Sequence, residues 1–270
     1  MGYYVRCKSD VNIYVEDINR MSPNVILFVH GWPANHKLFE YQFDILPALG
    51  YRCIGIDIRG FGKSDKPWEG YTYDILADDI RCVVEALGLQ NFTLAGHSVG
   101  GAIVIRYMGR HYGYGVSKLA LFAAAAPSFV KRSYFPYGLE KEDVNALIQQ
   151  VYNDRPTMLA ELTNMFFYQP ITKRFSDWFF QMGLEASGYS TANVLVSLRE
   201  ETMFYDMEKI QVPTLLFQGR HDQICLPPLA SALHHGIRNS KLVWFENSGH
   251  GLFWEERTKF NKELADFVAN

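Results

Sequence analysis

The sequence predicts an α/β fold, in which a mostly parallel central sheet carries helices on both faces and a helical cap is inserted into the chain. Short apolar runs alternate with helical stretches of ten or more residues, as in parallel strands joined by crossover helices. This alternation stops over an aromatic-rich stretch of helical pieces and then resumes, which predicts an insertion into one sheet domain. A chain of 270 residues is long enough for both parts.

The first predicted strands are two short extended segments, Tyr3 to Cys7 and Asn12 to Glu16, which favour an antiparallel hairpin at the sheet edge. From Val25 to Val29 the pattern becomes a continuous apolar run, typical of a strand buried on both faces. Further strands are predicted at residues 52–56, 92–95, 118–124, 214–217 and 241–245. Helices are predicted at residues 37–49, 74–87, 102–112, 228–236 and 255–268.

The pattern divides the chain into three segments. Residues 1–126 are predicted to form the first part of the sheet core, residues 127–205 the helical cap, and residues 206–270 the second part of the core. The cap is rich in aromatic residues, and a single cap aromatic is more often part of the cap's own core than a ligand contact.

Composition argues against several classes of partner. The formal net charge is −3 and no basic stripe is present, so we expect no nucleic-acid partner. The sequence has neither a polybasic run nor an apolar stretch long enough to cross a bilayer, so we expect no membrane attachment. Residues 1–10 lack the apolar core of a secretory signal, and we expect a cytoplasmic location.

The four cysteines show no paired spacing that would indicate a zinc site or a redox motif. They are Cys7, Cys53, Cys82 and Cys225. Cys53 and Cys82 lie inside apolar patterns and are predicted to be small core residues. Reduced thiols are therefore expected, as in the cytoplasm.

Residues 96–101 read Gly-His-Ser-Val-Gly-Gly and lie between a predicted strand and a predicted helix. A serine on so sharp a turn needs small neighbours, and Gly96 and Gly100 stand two positions either side of Ser98. The turn lifts the hydroxyl clear of the sheet and places a helix N-terminus beneath it, where developing negative charge is stabilised. Ser98 is therefore predicted to be a nucleophile.

A serine hydroxyl needs a base to take its proton. Hydrolases built on such a sheet place nucleophile, acid and histidine in that chain order, each at the carboxyl end of a strand. His250 follows the last predicted strand and is the predicted base. Asp222 follows the penultimate strand and is predicted to orient the imidazole and stabilise its charged form. Asp57 is the rival acid, but it precedes Ser98 and is better interpreted as bracing the loop after it.

Acyl transfer also needs two N–H donors for the developing oxyanion. The main chain of Val99 is the first predicted donor. The second is the main chain of Trp32, within the His-Gly-Trp-Pro segment at residues 30–33. The ring of His30 is predicted to bond nearby loop backbone, and the indole of Trp32 is free to pack while its amide acts.

Together these motifs resemble the α/β-hydrolase superfamily, and most closely its bacterial aryl esterases and cofactor-free haloperoxidases (perhydrolases). The matching segments are residues 30–33, 57–65, 96–101, 219–222 and 249–251. The resemblance covers nearly the whole chain and implies hydrolysis of carboxylic esters without a metal or organic cofactor. It also implies Trp32 and Val99 as oxyanion-hole residues. Two positions depart from the family: His97 stands where members often carry another residue, and Val99 stands where methionine is common.

The same resemblance implies which residues line the substrate pocket: Phe129, Phe167, Phe204, Ile224 and Leu252. A narrow apolar pocket favours small uncharged acyl groups with aryl or short alkyl alcohols. No obvious cationic clamp for a substrate carboxylate is present. Four cap residues stay open as candidates for that role: Lys131, Arg132, Lys173 and Arg174.

The predicted function is a serine carboxylesterase that hydrolyses small aryl or short-chain esters through an acyl-enzyme. Pro33 resembles the proline that follows the oxyanion-hole residue in perhydrolases, which suggests peroxide as a second acyl acceptor; alternatively it only sets the loop dihedral. The same triad would serve a lactonase, an amidase or a carbon–carbon bond hydrolase. A hydrolase-like ligand receptor with little turnover is an alternative of another class. The oligomeric state stays open, a homo-oligomer included.

Overall fold

An eight-stranded sheet organises the computed structural model, which describes residues 1–7 and 10–270. Its strands are β1 (Gly2–Arg6), β2 (Asn12–Ile18), β3 (Asn24–Val29), β4 (Tyr51–Ile56), β5 (Phe92–His97), β6 (Val116–Phe122), β7 (Thr214–Gly219) and β8 (Ser240–Phe245). The spatial order is β1-β2-β4-β3-β5-β6-β7-β8. The β1–β2 hairpin and the β2–β4 pair are antiparallel, and every later pair in that order is parallel. The predicted fold class and the edge hairpin are confirmed.

Helices cover both faces of this sheet. The α-helices of the described residues are α1 (Glu40–Phe43), α2 (Tyr73–Ala86), α3 (Val99–Arg110), α4 (Lys141–Phe166), α5 (Lys173–Leu184), α6 (Gly188–Glu200), α7 (Phe204–Met207), α8 (Pro227–Gly236), α9 (Leu252–Glu255) and α10 (Arg257–Ala269). Helices α2, α3 and α8 bury one apolar face of the sheet, and α1 and α10 bury the other. Helices α4 to α7 lie between β6 and β7 along the chain, where the cap is predicted at residues 127–205. Across the described residues, no helix combines the length and apolar character needed to span a bilayer.

The helix predicted at residues 37–49 is wrong as one element. It consists of a 3₁₀ turn at His36–Phe39, the single turn α1, and a second 3₁₀ turn at Leu46–Leu49. Pro47 explains the break, because its ring would clash with the carbonyl of Phe43 in a continuous helix and it has no N–H to donate. The short turns still bury their apolar side chains against the sheet.

Two other element boundaries differ from prediction. The strand predicted at residues 118–124 is β6, which ends at Phe122 because Ala123 adopts a left-handed φ of 44°. The helix predicted at residues 255–268 is divided into α9 and α10 by Glu256, whose φ and ψ are −120° and 46°. Both breaks are backbone features that apolar periodicity does not report.

The cysteine prediction is partly wrong. Cys7, directly after β1, and Cys82 on α2 form a disulfide with a Cα–Cα distance of 5.7 Å. Because of this disulfide, Cys82 is a cross-link and not a plain core residue. The two cysteines are 75 residues apart, so no local spacing in the sequence indicated the pairing. Cys53 is a buried free thiol, as predicted. A disulfide is typical of oxidising compartments, and the cytoplasmic location stays a prediction.

A buried ion pair fastens the loop that follows β4 to helix α2. Arg59 Nε and Nη2 donate to the two carboxylate oxygens of Asp79 at 2.5 and 2.6 Å. Both side chains are nearly inaccessible, with 6% and 7% of their surface exposed. A buried guanidinium that loses its carboxylate is costly, because no water replaces the lost partner.

We therefore expect Asp79→Asn to lower the free energy of unfolding by about 3 kcal/mol. The matched control is Asp78→Asn on the same helix, since Asp78 pairs with Arg110 while 41% exposed. That change should cost less than about 1 kcal/mol. Urea unfolding of the three proteins at one pH measures both values, and equal losses for the two variants would contradict the role of the Arg59–Asp79 pair.

Candidate active site

The predicted site residues come from four different strands and meet at one edge of the sheet. Trp32 follows β3, Ser98 follows β5, Asp222 follows β7 and His250 follows β8. These strands are parallel, so their carboxyl ends share an edge, where ligands bind in open α/β sheets. The topology thus brings together side chains that are far apart in sequence.

Ser98 occupies the sharp turn between β5 and α3. Its backbone lies at φ 55° and ψ −122°, a conformation that non-glycine residues rarely adopt. Gly100 is required beside it, because an added Cβ would meet the carbonyl oxygens of Val29 and His30, the latter at 2.5 Å. The start of α3 therefore packs directly on the end of β3, which holds Ser98 beside the Trp32 loop.

Asp222 and His250 form a buried hydrogen-bonded pair. His250 Nδ1 lies 2.8 Å from Asp222 Oδ2, and their side chains are 1% and 0% exposed. The other carboxylate oxygen accepts the main-chain N–H groups of Ile224 and Cys225 at 2.8 and 2.9 Å. With Asp222 as acceptor, Nδ1 carries the proton and Nε2 presents its lone pair.

Gln218 is a further member of this arrangement that the sequence analysis missed. Its Nε2 donates to Asp222 Oδ2 at 3.1 Å and to the carbonyl of Cys225 at 2.9 Å. Gln218 lies in β7, one residue before the strand ends, and its side chain is fully buried. A polar residue inside an otherwise apolar strand is the signal that marks it.

The structure brings Ser98 and His250 to one cavity without joining them by a hydrogen bond. Among the described residues, His250 Nε2 is buried with no hydrogen-bond partner. Ser98 Oγ is turned towards Cys225 Sγ, 3.9 Å away, and burial raises the pKa of that thiol well above its ordinary value. Rotation about the Ser98 Cα–Cβ bond moves Oγ between neighbouring staggered positions. Catalytic hydrogen bonds are often long or misaligned before substrate binds.

Two main-chain N–H groups belong to residues beside Ser98: Val99 follows it in the chain, and Trp32 lines the same cavity. Within residues 1–7 and 10–270, the N–H groups of Trp32 and Val99 donate to no protein acceptor. The Trp32 indole is fixed separately, because its Nε1 donates to the carbonyl of Thr191 on α6 at 3.0 Å. The side chain of Trp32 therefore packs into the cap while its amide is available to a ligand.

His30 is a structural residue, as the sequence indicates. Its Nδ1 lies 2.9 Å from the carbonyl of Gly31, and its Nε2 accepts the N–H of Ile58 at 3.0 Å. Complete burial lowers the pKa of His30 to about 4. The neutral ring is thus bonded at both nitrogens and joins the loops after β3 and β4.

Asp57 braces the neighbouring loop and takes no part in the His250 pair. Its Oδ1 accepts from the main chain and from Nδ1 of His36, both at 2.7 Å. Its Oδ2 accepts the main-chain N–H of Lys63 at 2.8 Å. Each carboxylate oxygen is occupied by this loop, which agrees with the interpretation given to Asp57 above.

His97 makes a contact that the sequence analysis did not anticipate. The ring is fully buried, its Nε2 lies 3.1 Å from the carbonyl oxygen of His250, and the two ring centroids are 4.5 Å apart. Burial lowers the pKa of His97 well below its ordinary value. A neutral His97 can therefore donate from Nε2 to the main chain of His250.

With this geometry described, the chain can be compared with known proteins. Residues 24–257 match the family with the alpha/beta hydrolase fold, which is most of the 270-residue chain. The chain belongs to the α/β-hydrolase family.

This α/β hydrolase has similar relatives over its full length. It is 48% identical to the AB hydrolase superfamily protein YisY of Bacillus subtilis (strain 168), with 99% of each chain covered. It is 30% identical to the bifunctional esterase/perhydrolase DCH of Acinetobacter calcoaceticus, again with 99% of each covered. The solved structure of the esterase EaEST from Exiguobacterium antarcticum matches with a TM-score of 0.97, 42% identity and 100% of both chains. The chain is thus an esterase- and perhydrolase-like α/β hydrolase, and the predicted resemblance is confirmed.

The glycines beside His250 in this hydrolase are required by close packing and not by an unusual backbone. Neither has a positive φ, and Gly251 lies at −87°. A Cβ at Gly249 would lie 2.9 Å from the main-chain nitrogen of Tyr168, and one at Gly251 would meet the ring of Phe167. The two glycines are needed because the end of α4 passes so close.

A largely apolar cavity of the hydrolase, about 710 Å³ including its open mouth, lies above Ser98 and His250. Ser98, His250 and Trp32 form its floor, and Phe129 and Ile224, two of the five predicted pocket residues, lie in its wall. The cap supplies most of the remaining wall: Leu139, Leu147, Gln150, Met158, Glu161, Leu162, Met165, Phe166, Leu195 and Leu198, with Gln223 from the loop after β7. The cavity is therefore built mainly by α4 and α6.

The other three predicted pocket residues lie outside this cavity. Phe167 packs on Phe175 and Trp254, with ring centroids 5.4 and 5.6 Å apart. Phe204 packs on Phe135 at 5.2 Å, and Leu252 is fully buried in the core on the α10 side of the sheet. The path of α4 causes the difference, since its side chains occupy the wall that the resemblance assigned to these residues.

A kink in α4 lies between two groups of cavity-lining residues. Asp154 leaves the helical conformation at φ −155° and ψ 75°, and its carboxylate accepts the main-chain N–H of Thr157 at 3.1 Å. Pro156 lies within the first turn after the kink, where proline is tolerated. Gln150 precedes the kink and Glu161 follows it, and both are exposed members of the lining.

The buried, neutral His30 and His97 predict a loss of stability in acid. Unfolding exposes both rings. Below about pH 6.5 the exposed rings bind protons, whereas the buried rings of the folded protein stay neutral. Their stabilising contribution is complete above that pH and is lost as pH falls towards 4, the pKa of His30. We expect the free energy of unfolding to fall by up to about 1.4 kcal/mol per pH unit for each ring.

Urea unfolding at several pH values between 7 and 5 measures this slope. His97→Phe removes one of the two titrations and should reduce the slope by up to about 1.4 kcal/mol per pH unit, whatever its effect at neutral pH. His234→Asn, a change at an exposed ring, is the control and should leave the slope unchanged. An unchanged slope in His97→Phe would contradict the assignment of His97 as a neutral buried ring.

Proposed function

We propose that this α/β hydrolase is a serine carboxylesterase that acts on uncharged esters through an acyl-enzyme, with Ser98, His250 and Asp222 as its triad. The observation that carries the proposal is the buried Asp222–His250 pair, which leaves His250 Nε2 without a partner among the described residues. His250 and Ser98 line the same cavity. A histidine held in this tautomer is the base that a serine nucleophile requires.

The proposed mechanism uses only groups of this chain. His250 Nε2 takes the Ser98 proton as Oγ attacks the ester carbonyl, and the amides of Trp32 and Val99 stabilise the oxyanion. The imidazolium, stabilised by Asp222, gives its proton to the leaving alcohol. Water then attacks the acyl-enzyme with His250 as base, which releases the acid and restores Ser98.

The cavity supports an uncharged substrate. Of its described lining residues, Glu161 and His250 are the titratable ones. The four candidate cationic clamps of the cap lie outside it; Arg132 donates to the carbonyl of Arg199 at 2.7 Å, and Lys173 pairs with Asp177 at 2.8 Å. A substrate carboxylate would find no cation there and would face Glu161 at the mouth.

Similarity to one protein of known structure favours ester hydrolysis over the alternative reactions. A relative of known structure at 42% identity, EaEST, is named an esterase. A lactonase, an amidase and a carbon–carbon bond hydrolase would use the same proposed triad, and a receptor would bind with little turnover. Turnover of p-nitrophenyl esters, a lactone and an anilide by one preparation separates these reactions.

We expect wild-type protein to hydrolyse p-nitrophenyl esters, tested from acetate to octanoate, and Ser98→Ala to lower kcat by roughly 10⁴–10⁶-fold. Asp222→Asn should lower kcat by about 10⁴-fold, because it favours the wrong tautomer of His250. Asp57→Asn is the matched carboxylate control and should lower Tm while keeping kcat within about tenfold. Wild-type turnover by Ser98→Ala would refute the proposal, and equal kcat losses in the two aspartate variants would refute Asp222 as the acid.

Perhydrolysis is a second candidate activity of the same acyl-enzyme. Pro33 follows the proposed oxyanion-hole residue, and the relative DCH, at 30% identity, is named a bifunctional esterase/perhydrolase. Hydrogen peroxide would attack the acyl carbonyl in place of water, so that the products are a peracid and free Ser98. No change in the oxidation state of the protein is involved.

We expect wild-type protein with acetate and hydrogen peroxide to brominate monochlorodimedone in the presence of bromide, because peracetic acid oxidises bromide. Ser98→Ala should lose this activity together with the esterase, since both pass through the acyl-enzyme. Absence of bromination by an enzyme preparation that hydrolyses p-nitrophenyl acetate would contradict perhydrolysis alone.

A further inference from the structure

Glu255 links two segments of the molecule that are far apart in sequence. It ends α9, five residues after His250. One carboxylate oxygen, Oε1, accepts the main-chain N–H groups of Tyr168 and Gln169, both at 2.7 Å. The other, Oε2, accepts the main-chain N–H of Gly249 at 2.8 Å. Tyr168 and Gln169 follow the end of the cap helix α4, and Gly249 directly precedes His250.

The cap end and the loop that carries His250 lie side by side beyond this carboxylate as well. We call residues 166–169 the cap strap and residues 247–251 the base loop. The N–H of Gly251 donates to the carbonyl of Phe166 at 3.0 Å, and Gln169 Nε2 donates to the carbonyl of Asn247 at 2.9 Å. The Phe166 ring meets the His250 ring edge to face, with centroids 4.8 Å apart.

We call the contact between the cap strap and the base loop the seam, and Glu255 is the charged group that bonds to both of its sides. Burial raises the pKa of the Glu255 carboxyl, and its three N–H donors oppose that shift by stabilising the carboxylate. Bonds from N–H groups to a carboxylate are stronger than bonds between neutral groups. Without the carboxylate, three main-chain donors at the seam would have to find other acceptors.

The neighbouring Glu256 has a more limited role. Its Oε2 accepts the N–H of Asn247 at 3.0 Å and the hydroxyl of Ser248 at 2.7 Å, both within the base loop. Glu255 differs because it binds the strap and the loop at once. Its loss would therefore free Gly249 from the cap, next to the residue whose ring must meet Ser98.

We propose that Glu255 is a positioning residue that fastens the base loop to the cap strap and thereby sets the position of His250 relative to Ser98 and Asp222. The role rests on the proposed function, in which His250 is the base. Glu255 touches neither the substrate cavity nor the reacting atoms, so it acts through the main chain of Gly249. Errors of about 1 Å in the placement of a catalytic group can cost about 10²-fold in rate.

The test compares Glu255→Gln and Glu255→Ala with Glu246→Gln. Glu246 is 61% exposed and pairs with Arg220 at the surface, so its change removes the same charge without touching the seam. We expect kcat on a p-nitrophenyl ester to fall about 10- to 100-fold in Glu255→Ala, with less than about a threefold change in KM. Glu255→Gln, which keeps one carbonyl acceptor, should lie between Glu255→Ala and wild type, and Glu246→Gln should match wild type.

Two further readouts separate positioning from a general loss of structure. If His250 shifts from Asp222, the acid limb of the kcat/KM profile should move in both Glu255 variants and stay in place in Glu246→Gln. The low-field proton NMR signal of the His250–Asp222 hydrogen bond should weaken in the same variants, and it needs no turnover. If Glu255→Ala fails to fold, Glu255→Asp is the second variant, because its charge remains while its shorter side chain cannot bridge both segments.

Glu255 variants that match Glu246→Gln in kcat, in the acid limb and in the NMR signal would overturn the role of Glu255. A loss of kcat that tracks only a lower folded fraction, with the acid limb unmoved, would also overturn it. Failure of the wild-type protein to hydrolyse any ester refutes the proposed function instead, and the NMR comparison then still decides whether Glu255 holds His250 against Asp222.

Discussion

The buried hydrogen bond between Asp222 and His250 is the interaction on which the rest of the site depends. A carboxylate removed from water is costly unless donors replace its hydration. Asp222 meets this demand with the imidazole, two main-chain N–H groups of its own loop and the side chain of Gln218. The hydrogen bonds that replace the hydration of Asp222 also orient His250, because a carboxylate held at both oxygens leaves the imidazole one favourable position.

The base loop, which carries His250, is closely packed by its neighbours. His250 is reached from three sides: by the carbonyl contact of its main chain with His97, by the edge of the Phe166 ring and by the close passage of the strap past Gly249. A Cβ at Gly219, at the end of β7, would in turn lie 2.5 Å from the carbonyl of Ser248. Main chain therefore packs on main chain around His250, and glycine appears where a side chain has no room.

The sequence alone was sufficient for the parts of the molecule that local patterns determine. Alternating strands and helices predicted the sheet, and strand ends located Ser98, Asp222 and His250, because parallel strands bring their carboxyl ends to one edge. It was insufficient where a residue's role depends on distant partners. Glu255 meets Tyr168 across 87 positions and His97 meets His250 across 153, and no local pattern reports such contacts.

Most of the residues that line the pocket could not be predicted from the sequence either. Phe204 and Phe167 were assigned to the pocket by resemblance, but the pocket wall depends on the path of α4, which turns at Asp154. The local signals for that turn were present in the sequence, since an aspartate followed by proline two positions later is typical of a helix N-terminus. Only their spatial consequence, which side chains then face Ser98, required the structure.

The cap has two roles that share one helix. The arm of α4 after the kink lines the cavity with Met158, Leu162 and Met165, and its end becomes the strap that meets the base loop. Phe166 belongs to both, since it borders the cavity and packs on the His250 ring. In the proposed mechanism, a substrate that displaces this arm would also disturb His250, because interiors packed at crystal density transmit displacement. Substrate fit and the placement of His250 would therefore be coupled through α4, and an oversized acyl group would lower the rate as well as the binding.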